Sequence, residues 1–584
     1  MVFSPRKLPE RNALAAFATG RYAPNAYDAL AFVLIIGLIA MIAHGIGEMH
    51  APLTVLAHTP VTLDASRLPE YGLRTTLRMF AAMLASLLFT FTVATLAAKN
   101  KRAELVIVPA LDILQSVPVL GFLTFTVAFF MRLFPGSQLG AECASIFAIF
   151  TAQAWNMAFS FYQSLRTVPQ DLDEVSRGFG FSAWQRFWRL EAPFAAPGLI
   201  WNMMMSMSGS WFFVVASEAI TVGNTTVELP GIGSYLAHAI DHRNFVAVAW
   251  AVLAMAVLIA LYDQLLFRPI VAWADKFRFE QTAGKDQPHS WMYELMRRTR
   301  VLKHLYQPLD WLSQRMMALR LRSIMPAARS QAAPQRGLLG DRLWLAVVIL
   351  TAFAGGWLAF DYMRQSLGWY DVGHALVAGL ATLLRVVVLI ALASVIWVPI
   401  GVWIGLRPRV AQRIQPLAQF LAAFPANVLF PVAVVVIVAT HANPDLWLSP
   451  LMVLGTQWYI LFNVIAGASA FPGDLREVAM VYRLHSWTWW RKVILPGVFP
   501  YYVTGALTAS GGSWNASIVA ELANWGDTRI EAFGLGSYIA KATQAGDYRR
   551  VVLGIAVMSL FVTLLNRILW RRLYVFAERR LRLS

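Results

Sequence analysis

Ser210-Trp-Phe-Phe-Val-Val-Ala-Ser-Glu218, followed by Gly231-Ile-Gly-Ser-Tyr235, returns 303 residues later as Ser513-Trp-Asn-Ala-Ser-Ile-Val-Ala-Glu521, followed by Gly534-Leu-Gly-Ser-Tyr538. The same displacement sets Trp155 on Trp458, Pro169 on Pro472, Glu174 on Glu477 and Pro193 on Pro496. Upstream it becomes 307, setting Arg78 on Arg385 and Pro118 on Pro425, so a four-residue difference falls between Pro118 and Trp155. Self-similarity over this distance marks a tandem duplication.

Composition indicates what is duplicated. The chain has 584 residues, 58% hydrophobic and 14% charged, against about 45–50% and about 25% in soluble proteins. That excess excludes an ordinary soluble enzyme and places the chain in a bilayer. Apolar stretches near the roughly 20 residues needed to cross one recur at 29–46, 75–98, 105–131, 143–162, 197–218 and 245–267, then at 343–360, 375–406, 417–438, 446–468, 500–521 and 551–570. The expected fold is therefore all-α and integral to the membrane, with twelve transmembrane helices as two tandem six-helix units. Six is even, so both units keep one orientation about a pseudo-two-fold axis along the membrane normal. The third stretch of each copy holds two prolines (Pro109 and Pro118; Pro425 and Pro431) and is expected to kink or break.

The net charge of +17 reads as basic residues collected on the cytoplasmic side, not as nucleic-acid binding. Alternate loops carry it, at Lys99, Lys101 and Arg102, at Arg166 to Arg189, at Arg407, Arg409 and Arg413, and at Arg571 to Arg580. Both termini are thus expected in the cytoplasm. The 29–46 run lacks a small-residue cleavage site and reads as a retained anchor. Cys143, the single cysteine, excludes an intrachain disulfide framework. The chain divides into residues 1–274, a basic cytoplasmic linker 275–340 and residues 341–584. The linker has twelve basic against five acidic residues, and its middle, 291–324, mixes Trp, Leu and Met with Arg at helical spacing. This is the pattern of an amphipathic helix on anionic lipid headgroups, with a regulatory segment touching a cytosolic partner as the other reading.

Between the fourth and fifth spans of each copy lies an elaborate polar segment, 169–193 and 472–496. Asp171, Asp173 and Glu174 suit the first turn of a short helix. Gly178 and Gly180 supply a stop and a tight turn, Ser182 with Gln185 makes a capping box, and Pro193 is expected to break the second helix before the span. The product is a helix–turn–helix projecting into the cytosol with exposed aromatics at Trp184 and Phe187, recurring as Trp487 and Trp490. Such aromatics suit a protein partner.

The spacing Glu-x-x-x-x-x-Gly, nine residues, an aliphatic and x-x-Pro resembles the EAA coupling loop of binding-protein-dependent ABC importer permeases. Glu174, Gly180, Leu190 and Pro193 match it, as do Glu477, Val493, Leu495 and Pro496, with Arg483 at the second glycine position. The Ser-Trp…Glu and Gly-x-Gly-Ser-Tyr motifs resemble the nitrate/sulfonate/taurine (bicarbonate) branch. The resemblance covers both six-span units and leaves the linker unmatched. It implies two fused type I importer permease units in a bacterial inner membrane. Each coupling helix would sit on one of two copies of a cytosolic ATP-binding subunit, and a periplasmic or lipid-anchored binding protein would deliver a small anionic solute. The chain has no Gly-x-x-x-x-Gly-Lys-Ser/Thr phosphate loop, so ATP and Mg belong to the partner, and this chain is expected to be no enzyme and to hold no cofactor or metal.

Charges within spans are costly and have reasons. Arg78 and Glu218 are expected at similar depth, as are Arg385 and Glu521; a helix–helix clasp is favoured over an external gate or arginines that attract an anion, because an unpaired Glu would repel an anion. For the translocation path the candidates are Asn202, Ser206, Ser208, Ser210 and Trp211 with Ser510, Ser513, Trp514 and Asn515, helix packing being the competing reading. Trp155 and Trp458 read as packing, and Asp112, Asn156 and Asp263 receive no role. The rival function is an ion-coupled secondary transporter with two parallel six-helix repeats; it leaves the duplicated coupling loop unexplained. A membrane scaffold or embedded enzyme lacks a recognisable site.

Overall fold

The computed structural model describes residues 61–116, 119–222, 225–277, 290–299, 301–319, 338–469, 479, 481–483 and 486–580. The expected first span, 29–46, and the coupling residues Pro472 and Glu477 lie outside the described residues. The fold is helical, with two short β-hairpins the sequence reading did not anticipate. Seven helices are long and apolar enough to cross a membrane, or up to nine if two bent pairs each count as one span, among the described residues. They take up nine of the twelve expected stretches. The 105–131 stretch is carried by two helices, Lys101–Ser116 and Val119–Leu133. The 143–162 stretch sits in the helix Gln138–Arg166, which buries Glu142, Ser145, Thr151 and Gln153 against neighbouring helices.

Contacts gather the chain into two compact units that cut across the repeat. One takes in Gln163–Trp201 and Leu261–Gln331; the other takes in Glu48–Tyr162, Asn202–Ala260 and Ala332–Ser584. The smaller unit holds the first coupling segment and the linker helices Trp291–Arg298 and Val301–Ala318. On the second of these Trp311, Leu312 and Met316 are exposed, and the Arg315 guanidinium lies 4.0 Å from the Trp311 ring centroid.

Prolines act as expected at one place and not at another. In the second copy the helix Pro408–Ala423 stops before Pro425, and Leu417–Ala423 meets Ala426–Ala439 at 74°. Phe424, preceding a proline, is held extended at ψ 125. Pro193, by contrast, does not break its helix. The chain runs from Ala183 to Glu218 as one helix through a π turn at Phe187–Glu191. The wider π turn lies just ahead of Pro193 and makes room for a ring that would otherwise crowd the preceding turn. The second copy repeats the device at Trp490–Ile494, and a further π turn at Asp263–Phe267 recurs at Asn566–Trp570. Each pair is displaced by 303 residues.

The hairpins obey the same register. Ala219–Val222 pairs antiparallel with Thr225–Glu228, and Leu522–Trp525 with Thr528–Glu531. Each turns the chain back at the C-terminal end of its long helix, so that Leu229 N donates to Glu218 O at 2.9 Å and Ala532 N to Glu521 O at 2.9 Å.

Candidate functional site

The first coupling segment folds as two short helices. Gln170–Gly178 ends, Gly180 takes the left-handed conformation at φ 68, and Ser182 caps the next helix. The capping box is complete, with Gln185 N donating to Ser182 Oγ at 3.3 Å and Ser182 N to Gln185 Oε1 at 3.0 Å. Asp173 ties the pair together, 2.7 Å from Arg177 and 3.2 Å from Arg186. Glu174 is exposed, and Leu190 and Pro193 are half-buried. In the second copy Arg483 occupies the glycine position and still adopts φ 47, so the left-handed turn is kept without a glycine.

Of the four aromatics expected to be exposed, only Trp487 is fully so. Phe187 is buried at 7% exposure and packs edge-on to Trp188 at 5.0 Å. Trp184 is half-buried, its Nε1 donating to Met316 O at 2.8 Å, while Gln185 Nε2 donates to Ala318 O at 2.9 Å. These two side chains thereby satisfy carbonyls at the end of the linker helix Val301–Ala318, groups a helix cannot pair internally. Trp487 is 70% exposed, whereas Trp490 and Pro496 are half-buried and Leu495 is 37% exposed. The aromatic exposed in both copies is the one preceding the left-handed residue, Phe179 at 75% and Tyr482 at 74%. The 303-residue displacement marks that pair in the sequence.

At the C-terminal ends of the long helices the two copies build the same carboxylate cradle. Glu218 Oε1 accepts from Thr75 Oγ1 at 2.7 Å and from Arg78 at 2.7 Å, and its Oε2 from Gly233 N at 2.7 Å. Glu521 Oε1 accepts from Thr382 Oγ1 at 2.8 Å and Arg385 at 3.0 Å, and its Oε2 from Gly536 N at 2.7 Å. A Cβ at Gly231 or Gly534 would collide with that carboxylate, which gives the Gly-x-Gly motif its physical reason. Each arginine also holds a second acid that sequence reasoning missed. Arg78 meets Glu142 at 2.5 and 2.7 Å, all three side chains fully buried; Arg385 meets Asp445 at 2.8 Å, an acid 53% exposed. Glu142 and Asp445 are themselves 303 residues apart. Outside the spans, burial pushes the Tyr538 phenol of the same motif up to about 12.

Of the expected pathway residues, Ser206, Ser510 and Asn515 line a cavity of about 140 Å³. Trp155, Asn156, Asn566 and Trp570 share its wall, and no described residue lining it is charged. The other candidates lie elsewhere. Trp211 and Trp514 are buried at 1% and 0% exposure. Ser513 bonds Thr456 at 2.9 Å, Ser210 donates to Ser206 O at 2.7 Å, Ser208 donates to Met204 O at 3.1 Å, and Asn202 donates to Ser160 at 2.8 Å.

The sequence pattern of binding-protein-dependent transport system inner membrane components matches this chain twice, at residues 90–267 and 397–583. The chain is 30% identical over 188 residues to the bicarbonate transport system permease protein CmpB of Synechococcus elongatus, covering 32% of this chain and 64% of that protein. It is 29% identical over 186 residues to the nitrate import permease protein NrtB of Leptolyngbya laminosa, covering 32% and 63%. Against the glycine betaine/proline betaine transport system permease protein ProW of Escherichia coli it is 26% identical over 202 residues, covering 34% and 54%. The chain thus spans less than two thirds of the length of these relatives.

Proposed function

Because the chain belongs to the family of binding-protein-dependent transport system inner membrane components, we propose that it is the membrane subunit of an ATP-driven importer, with both permease halves fused in one polypeptide. In this reading twelve spans form two six-helix units about a pseudo-two-fold axis in a bacterial inner membrane, both termini facing the cytoplasm. Two copies of a separate ATP-binding subunit dock below, and a periplasmic or lipid-anchored binding protein docks above. The relatives named for bicarbonate and nitrate support a small anion as the solute.

The observation that carries the reading is the repetition, at one displacement, of a cytosolic left-handed turn, a π turn and a carboxylate cradle along a single helix. Trp487–Ala520, with 34 residues, is about 51 Å long at 1.5 Å per residue. Closure of the ATP-binding pair would push on the turn at one end, and the helix would carry that motion to the clasp at Glu521. Val301–Ala318 lies on lipid headgroups through Trp311, Leu312 and Met316 while its end is held by the first coupling helix.

Native mass spectrometry of the complex, followed by uptake in liposomes, tests this. The expected result is one chain with two ATP-binding subunits and uptake that requires ATP. A chain alone or in homo-oligomers that still drives uptake without ATP overturns the importer and makes it an ion-coupled carrier.

A further inference from the structure

The helices Ile232–Asp241 and Leu535–Gln544 end in the same cap. Arg243 N donates to Ile240 O at 3.1 Å and Asn244 N to Ala239 O at 2.9 Å; Gly546 N donates to Thr543 O at 3.1 Å and Asp547 N to Ala542 O at 2.9 Å. Such a cap needs one left-handed residue, a place that glycine fills without strain. The second copy has it, Gly546 at φ 69, whereas the first holds Arg243 at φ 52. Strain of this kind points to a use for the side chain.

That side chain reaches the other copy. Arg243 Nη2 donates to Asp527 Oδ2 and to Thr528 Oγ1, each at 3.4 Å, at the turn of the hairpin formed by Leu522–Trp525 and Thr528–Glu531. Beside it Gly526 N donates to Ile240 O at 3.0 Å, and the Phe245 and Trp525 ring centroids lie 4.3 Å apart. Gly526 is itself left-handed at φ 56, and a Cβ there would run into the Arg243 side chain. The base of the hairpin is fixed within the second copy, Phe533 N donating to Asp445 at 2.7 Å and Arg385 to Phe533 O at 2.9 Å. Gly546 has no side chain with which to make the reciprocal tie.

We propose that this hairpin is a releasable strap, anchored in the second copy and clipped by its turn to Ile240 and Arg243 of the first, and that it lets go in each transport cycle. The proposal rests on the importer reading, in which this end of the long helices faces the binding protein, and adds the residues that part. The strap begins at the residue after Glu521, where the helix Trp487–Ala520 would deliver its motion. Its hold is light. Arg243 is 49% exposed and Asp527 fully so, and an ion pair in water contributes little, unlike the buried cluster around Arg78. Beyond the Arg243 contacts the clip has one backbone hydrogen bond and one pair of rings, a junction that the movement of a helix end can part.

The test is a disulfide across the junction. A Cβ at Gly526 would lie 2.8 Å from Arg243 Cγ, so Arg243→Cys with Gly526→Cys, in a Cys143→Ser background, places two thiols within bridging reach. The full chain with its ATP-binding subunits is placed in liposomes and oxidised. The bridge should form, read as loss of maleimide labelling, and should cut uptake of nitrate or bicarbonate about tenfold or more, with recovery in reductant. Arg243→Gly matches Gly546 and relieves the left-handed strain. It should melt no lower than wild type, yet hydrolyse ATP about three- to tenfold faster without solute, the scale of one lost hydrogen bond. A merely structural tie would change the melt and not the hydrolysis, and this readout holds whatever the solute is. No bridge, unchanged uptake in the bridged chain, or unchanged hydrolysis in Arg243→Gly overturns the strap. If ATP-driven uptake continues through the bridged chain, the importer stands and the strap falls. If uptake needs no ATP but stops on bridging, the strap stands and the importer falls.

Discussion

Arg78 has no exposed surface, and its guanidinium is shared between Glu142 and Glu218, both equally buried. Removing it leaves two carboxylates facing each other away from water. Arg78→Met is expected to destabilise the chain by about 3–5 kcal/mol, the range for breaking a buried ion pair. Arg385→Met should cost clearly less, because Asp445 is half in solvent; thermal unfolding of the two purified variants compares them. Equal losses would mean that burial is not what distinguishes the two clasps. Arg483 offers the reverse case. A non-glycine side chain in the left-handed region costs roughly 1–2 kcal/mol, so Arg483→Gly should raise the melting temperature while keeping the turn. The Arg–Glu pairs could be read from the sequence because an ion within an apolar stretch is conspicuous. Glu142 stood at the margin of its stretch, and its recurrence as Asp445 changes residue type, so it passed unnoticed. The Gly-x-Gly spacing was visible, but nothing in it says that a carboxylate from thirteen residues upstream of the first glycine fills the space.

At the scale of elements, the short helices of the coupling segment follow local rules, and local rules are what a sequence displays. The capping box and the glycine turn needed only neighbouring residues. The course of the chain beyond them obeyed no such local rule. A π turn inserts one residue into the helical repeat, rotating the rest of the helix by about 100° relative to an unbroken α-helix, so the faces read before Phe187 do not carry on beyond Glu191. The hairpins had a signal too, Gly-Asn and Gly-Asp between runs with β-branched residues, masked by the apolar helices before them. With Phe179 and Tyr482 as the recurring exposed aromatics, the double variant Phe179→Ala, Tyr482→Ala should weaken retention of the ATP-binding subunits about tenfold or more, the scale of an aromatic anchor. Phe187→Ala should instead lower the stability of the chain by about 3–5 kcal/mol. Co-purification and thermal melts separate the two effects, and unchanged retention in the double variant would remove the turn from the docking surface.

For the whole molecule, the repeat pointed to two copies of one permease pattern, which the chain matches twice, and drew attention away from residues without a like counterpart. Demanding a polar counterpart in each copy set Asn156 aside, yet it lines the cavity. Two fused copies need not remain alike: Asn156 is duplicated by Tyr459, and both line that cavity. The same freedom shows at the C-terminal ends of the long helices, where one ion cluster is sealed and its duplicate is open to solvent. Mobile ions reach the second and not the first. Raising ionic strength shortens the Debye length to about 3 Å at 1 M, which should loosen the Arg385–Asp445 contact and leave Arg78 held. Hydrogen exchange across Leu535–Gln544 should therefore quicken with salt while Ile232–Asp241 does not respond. Of two clasps built to one plan, only the duplicate would then answer to the salt around it.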